Sequence, residues 1–267
     1  MPLRLAPTLR DRLAATDRPL AGMWLCTGSP LVAEIVAGGE PDWVLIDMEH
    51  APLTLESVAA QLQAIAAYDT TPVVRVPAND PVIIKQVLDL GAQSVLVPMV
   101  SSADQARAAV AAVRYPPLGV RGVGSALARS ARWNRVEGYL SDADRYTALF
   151  VQIETAEGVA AAAEIAAVEG VDGVFVGPSD LAASMGLIGQ QSHPEVVAAV
   201  RRTFEAVRDA GTPVGVNAFD PALARQYAAD GARFVLVAAD VAVLARASEQ
   251  VAAEWGDSSA GPTRASY

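Results

Sequence analysis

Eight short apolar runs, each followed by a segment with helical patterning, occupy almost the whole chain, and this alternation limits the fold more than any other feature. The runs are LAGMWLC (20–26), DWVLID (42–47), PVVRV (72–76), SVLVP (94–98), ALFVQIE (148–154), DGVFVG (172–177), PVGVN (213–217) and ARFVLVA (232–238). Most are apolar along their length instead of alternating with polar residues, as parallel strands covered on both faces are. Helices are expected over 31–38, from Thr54 to Ala67, from Pro81 to Leu90, from Ser102 to Val113 and from Gly158 to Val168. Others follow to Ala210 from a capping-box pattern of Ser192 and Glu195, after Asp220-Pro221, and from Asp240 to Trp255. A further short helix, 7–15, precedes the first strand. Strand-helix units of roughly 25 to 35 residues argue for a closed (β/α)8 barrel, a TIM barrel, over an open doubly wound sheet.

One domain over 1–255 accounts for the repeat, with 256–267 as a frayed tail. A long irregular insertion, about 115–147, interrupts it after the fourth unit. Long insertions in compact domains are often functional. With 52% apolar and 19% charged residues the chain can bury a large core. Its net charge of −10 disfavours nucleic acid and anionic membrane as partners. Cys26 is the single cysteine, so an intrachain disulfide framework is excluded. There is no signal-peptide core and no membrane-length apolar run, and an unprocessed cytoplasmic protein is expected. Among the 20 basic residues Lys85 is the sole lysine.

In a barrel of this kind the chemistry sits at the C-terminal ends of the strands. Asp47 ends the second run, with Glu49 and His50 in the loop after it, and Arg75 closes the third. Gln152 and Glu154 leave the fifth on one face. The sixth runs out through Gly177 and Pro178 to Ser179 and Asp180, and the seventh ends at Asn217. If the fifth and sixth strands are neighbours, their tips stand roughly 5 Å apart. Glu154 and Asp180 would then share one cation or divide acid–base work between them.

Each residue also has a purely structural reading. Arg75 pairs with a carboxylate, Glu154 pairs with an arginine, Asp180 caps a helix, His50 is satisfied within its loop, and His193 caps or decorates a helix start. GVRGVG in the insertion does not directly follow a strand and lacks a ribose-binding acid, so it is no dinucleotide fingerprint. Arg121, Arg129, Arg132 and Arg135 there read as solvated or interfacial. No Gly-x-Ser-x-Gly elbow, phosphate-binding P-loop or His-Glu-x-x-His helix is present.

The strings DWVLIDMEHAP, VVRVPANDPVIIKQVLDLGAQSVLVPMV, RYPPLGVRGVGSALARSARWN, VQIETAEG and VEGVDGVFVGPSDLAASMG closely resemble the HpcH/HpaI family of metal-dependent aldolases, from about Leu20 to Trp255. The resemblance implies reversible cleavage of 4-hydroxy-2-oxo acids to pyruvate, or a related 2-oxo acid, and an aldehyde. It also implies Glu154 and Asp180 as ligands of a divalent ion (Mg²⁺, Mn²⁺ or Co²⁺), a His50–Asp47 pair, an essential Arg75, Gln152 beside the keto acid and Trp24 near the pocket. Met48 stands where many relatives carry glycine, which bears on substrate scope. The family exchanges its last helix between subunits and forms hexamers, so a homo-oligomer is expected.

Two carboxylates with waters suit a hard divalent ion. On this reading Arg75 stabilises an oxyanion, His50 oriented by Asp47 moves the proton with Glu49 the weaker alternative, and N–H groups from Ser179 to Leu181 hold the substrate carboxylate. A lysine Schiff base is the competing route, and Lys85 lies in a helix away from the strand tips. The rival functions are a barrel lyase acting on a CoA thioester and a non-catalytic keto-acid-binding barrel.

Overall fold

A computed structural model describes residues 5–255. The proposed tail at 256–267 lies outside the described residues. Eight strands close a barrel in chain order, every neighbour parallel: β1 (Leu20–Leu25), β2 (Trp43–Asp47), β3 (Thr71–Arg75), β4 (Ser94–Val97), β5 (Ala148–Ile153), β6 (Gly173–Val176), β7 (Val214–Asn217) and β8 (Phe234–Ala239). Around them lie α1 (Leu9–Ala14), α2 (Pro30–Gly38), α3 (Leu55–Ile65), α4 (Pro81–Asp89), α5 (Ala103–Val113) and α6 (Ala143–Tyr146). Then come α7 (Ala156–Ala160), α8 (Ala162–Ala166), α9 (Pro178–Ser184), α10 (Pro194–Asp209), α11 (Pro221–Ala229) and α12 (Asp240–Trp255). No described helix is long and apolar enough to cross a membrane.

The period of two divides each strand between two cores. Val44, Ile46, Val74, Val95, Val151 and Val174 face outward and pack under the helices. Trp43, Leu45, Val73, Leu96, Phe150, Phe175, Phe234 and Leu236 face inward and fill the barrel. Four aromatic rings form the lower plug: Phe234 stacks edge-on against Trp43 and Phe150 and lies 6.0 Å from Phe175. Three glycines make room for them. Gly22 is in register with Trp43, Gly173 with Phe150 and Gly215 with Phe234, and a Cβ on any of the three would come within 2.4–2.6 Å of the ring. Helix α1 closes the N-terminal end, where Leu9 and Leu13 join the inner core and the Leu9 N–H donates to Ser94 Oγ at 3.0 Å.

Local chemistry differs from the sequence reading in three places. The segment expected as one helix over 158–168 is two short ones, α7 and α8, meeting at Ala161 with its non-helical φ/ψ. Helix α10 is capped by His193, whose Nδ1 accepts from Glu195 N at 3.3 Å, and not by Ser192. Arg121, expected to be solvated or interfacial, is fully buried within the chain, with its guanidinium 4.5 Å over Tyr115 and Nη2 3.4 Å from both Asp89 and Tyr139. The insertion folds over two 3₁₀ turns, Ser125–Leu127 and Arg129–Ala131, onto its own small core of Ala131, Val136, Tyr139 and Ala143.

Candidate active site

Because inward residues at the tops of the strands follow the inward apolar layers, the polar tips converge on the barrel mouth. Asp47 and Arg75 sit opposite each other in the β2–β3 register. Arg75 Nε and Nη2 donate to the two Asp47 oxygens, each at 2.8 Å, and both side chains are at most 5% exposed. This two-point fork fixes the guanidinium plane. The third nitrogen, Nη1, lies 2.9 Å from Glu49 Oε2. Above it the Trp24 ring stands 4.4 Å from the Arg75 carbon centre, and the indole N–H donates to Asn217 Oδ1 at 2.8 Å. The fork is thus held from β1, β2 and β7 at once.

Asp47 is fully engaged by this pair and by the N–H groups of the loop it precedes, Glu49 at 3.0 Å and His50 at 3.5 Å. It touches the backbone of His50, not the imidazole. The ring is 63% exposed and its nearest carboxylate is Glu49, at 3.9 Å. The expected orientation of the imidazole by Asp47 is therefore replaced by proximity to Glu49, since both Asp47 oxygens already serve Arg75. Glu49 itself is pushed above the ordinary glutamate range, first by burial and then, against the pull of Arg75, by the charges of Asp47 and Asp180.

Glu154 continues the inward face of β5 beyond Gln152 and is 2% exposed. Its Oε1 accepts the Met99 N–H at 2.7 Å and its Oε2 accepts from Gln152 Nε2. Met99 reaches that position in the left-handed region, at φ 56°. Burial raises Glu154 to about 7; the two hydrogen bonds oppose the rise, and the charges of Glu49 and Asp180 add to it. Among the described residues no cationic side chain pairs with it. Gly177 packs against the pair, where a Cβ would meet Glu154 Oε2 at 2.8 Å and Gln152 Nε2 at 3.2 Å.

Asp180 lies in the first turn of α9, exposed at the mouth, and Gly177 takes the N-cap position, so Asp180 is not the helix cap. Leu181 is buried in the outer core and its N–H closes the helix onto Gly177 O at 3.1 Å. That leaves Ser179 and Asp180 as the residues whose N–H groups have no helical partner. Glu49, Met99 and Gly177 are the site residues that sequence reasoning passed over or ranked low. Gly177 carried a signal, a glycine between a buried strand and a helix start; Met99 carried none.

A divalent ion fits these residues. A buried carboxylate without a cationic partner, pressed by two further acidic charges, lacks a positive charge. Gln152 Oε1 beside it is buried with no hydrogen-bond partner among the described residues. All the donors are oxygens, as hard cations prefer. Among the described residues no group of three or more His, Cys, Asp or Glu side chains is arranged to hold an ion.

Known proteins resemble this chain over most of its length. The sequence profile of the HpcH/HpaI aldolase/citrate lyase family matches residues 20–247. The chain is 51% identical over 247 residues to a 4-hydroxy-2-oxo-heptane-1,7-dioate aldolase of Salmonella dublin, covering 92% of this chain and 94% of that one. It is 52% identical over 242 residues to the enzyme of the same name from Shigella flexneri, covering 91% of each. Among solved structures, an HpcH/HpaI aldolase/citrate lyase family protein from Burkholderia cenocepacia J2315 superposes with a TM-score of 0.88 at 45% identity, covering 92% of this chain and 98% of that one. An HpcH/HpaI aldolase from Desulfitobacterium hafniense DCB-2 gives 0.87 at 28%, covering 95% and 98%.

Proposed function

The chain belongs to the HpcH/HpaI aldolase/citrate lyase family, and from that premise we propose that it is a class II aldolase, cleaving a 4-hydroxy-2-oxo acid reversibly to pyruvate and an aldehyde. The observation that carries the proposal is the uncompensated acidic pocket around Glu154. Glu154 and Asp180 are the residues we assign to hold a divalent ion, Mg²⁺, Mn²⁺ or Co²⁺, with Gln152 alongside. When bound, the ion supplies Lewis-acid polarisation of the 2-oxo carbonyl.

The chain's own groups do the rest. Cleavage requires a proton to leave the C4 hydroxyl as the C3–C4 bond breaks, with the electron pair passing into the pyruvate enolate. His50, exposed at the mouth beside Glu49, takes that proton directly or through a water. Arg75, held in plane by Asp47 and Trp24, stabilises the negative charge that develops on the substrate oxygen. Its orientation is set before the reaction, which is what makes such a donor effective. The N–H of Ser179 donates to the substrate carboxylate, and Trp24 and Asn217 wall the pocket. Helix α12 exposes Val243, Leu244, Val251 and Trp255, and we assign that face to a neighbouring subunit of a homo-oligomer.

Exchange of pyruvate methyl protons in D₂O, followed by NMR, tests enolate formation without the aldehyde. Exchange is expected with a divalent ion and not after chelation. Equal exchange rates in both conditions, or none with any divalent ion, refute the assignment.

A further inference from the structure

The barrel's N-terminal end, far from the mouth, carries two guanidinium groups with no carboxylate partner among the described residues. Gly91, in the turn between α4 and β4, lies against both: a Cβ there would stand 2.7 Å from Arg129 Nη1 and 2.9 Å from Arg132 Nη1. Both arginines are half-buried. Backbone carbonyls anchor them, Leu90 O for Arg129 Nη1 at 2.9 Å and Arg129 O for Arg132 Nη1 at 2.6 Å. Those anchors fix the two forks but bring no full negative charge. Among the described residues neither arginine is ion-paired with a carboxylate, whereas Arg10, Arg12, Arg18 and Arg75 all are.

Burial lowers the proton affinity of both groups, and the charge of Arg132 lowers that of Arg129 further. Two like charges held side by side, partly out of water, repel. Beside them is a cavity of about 170 Å³, which Gly91, Gln93, Thr70 and Thr71 also line and which contains no acidic side chain. The chain leaving the pair is strained: Arg132, Trp133 and Asn134 have φ of 49°, 53° and 63°. Left-handed conformation is strained for a non-glycine residue, and such strain collects where a ligand or clamp is built.

We infer that Arg129 and Arg132 form a binding site for a small doubly charged oxyanion, a phosphate or a short dicarboxylate, at the end of the barrel opposite its catalytic mouth. Planar forks with several donors match the oxygen pairs of such groups. Because the cavity is bounded by the insertion on one side and the starts of β3 and β4 on the other, the bound anion ties the insertion to the barrel. The inference stands independently of the aldolase reading.

The test compares the wild-type enzyme, Arg132→Gln and Arg132→Lys, each with saturating Mg²⁺ in chloride buffer. Thermal unfolding is followed on adding phosphate, succinate or matched sodium chloride. At ten times the dissociation constant, the preferred anion is expected to raise the wild-type midpoint by about 3–6 °C. Arg132→Gln loses that rise, yet in chloride alone unfolds no lower than wild type because the repulsion is gone; Arg132→Lys keeps part of the rise. Arg75 is present in every protein, so anion binding at the mouth cancels in the comparison. Phosphate against succinate identifies the shape preferred. The inference is overturned by no rise beyond chloride, by equal rises in wild type and Arg132→Gln, or by a loss of stability in Arg132→Gln that is the same in every buffer. Calorimetric titration of wild type and Arg132→Lys with phosphate and with succinate separates this site from the mouth even if Arg132→Gln does not fold; no heat beyond the chloride control, or the same affinity in both proteins, also overturns it.

Discussion

Glu154 is expected to make the metal-free protein lose stability as the solution becomes less acidic, and the size of the loss follows from its burial. The carboxyl is raised from 4.5 to about 7, chiefly by desolvation. A gap of that size corresponds to about 3 kcal/mol. The folded chain holds this proton more tightly than the unfolded chain does. Below about pH 4.5 both states are protonated and there is no penalty; as the pH rises the unfolded chain ionises first, and the penalty grows until about pH 7 and then stays level. A divalent ion takes the proton's place, so its affinity should fall about tenfold between pH 8 and pH 6 as the ionised share of Glu154 drops. The assay is urea unfolding of chelated wild type and Glu154→Gln at pH 4.5 and 8, with Mn²⁺ titrations of the wild type at pH 6 and 8. The stability difference between the two proteins should shift by about 3 kcal/mol against wild type over that range. Parallel pH curves, or equal Mn²⁺ affinity at both pH values, would refute the reasoning.

Arg75→Lys keeps the charge but loses the two-point fork on Asp47, and kcat/KM should fall by about 10²–10³ with the fold intact by circular dichroism. Gly177→Ala places a methyl 2.8 Å from Glu154 Oε2; Mn²⁺ affinity, read by calorimetry, should weaken at least about tenfold while the unfolding midpoint moves little. Lys85→Ala should retain full turnover, with borohydride trapping no pyruvate adduct in either protein, and chelation should abolish activity in both until Mn²⁺, Co²⁺ or Mg²⁺ is restored.

The barrel was legible because its signal is periodic and redundant: each of the eight runs becomes a strand, and each site residue expected at a strand tip stands at or just beyond one. Spacing alone put Gln152 and Glu154 on one face, since a strand leaves no other choice. What could not be read depends on competition between partners. Asp47 has two oxygens and Arg75 claims both, so the imidazole of His50 is left nearest to Glu49, a preference set by three-dimensional distance. Nothing in a methionine announces the left-handed backbone that lets Met99 donate to Glu154. The α10 cap shows the same limit: serine and histidine stand next to each other, and the backbone angles at His193, not side-chain preference, decide which one accepts.

The pairing of Gly22 with Trp43, Gly173 with Phe150 and Gly215 with Phe234 has an evolutionary consequence. Any side chain added on the glycine side requires a smaller ring on the facing strand, so each pair changes through two coordinated substitutions, with a weakened protein as the only intermediate. Single-step drift is therefore suppressed in the lower barrel, a constraint of packing that is separate from the one chemistry places on the polar tips, and it leaves variation to the mouth positions that touch neither the plug nor the Asp47–Arg75 and Gln152–Glu154 pairs. A lineage built this way diversifies its substrates without renegotiating its foundation, and libraries aimed at new aldehyde acceptors should leave the six plug positions fixed.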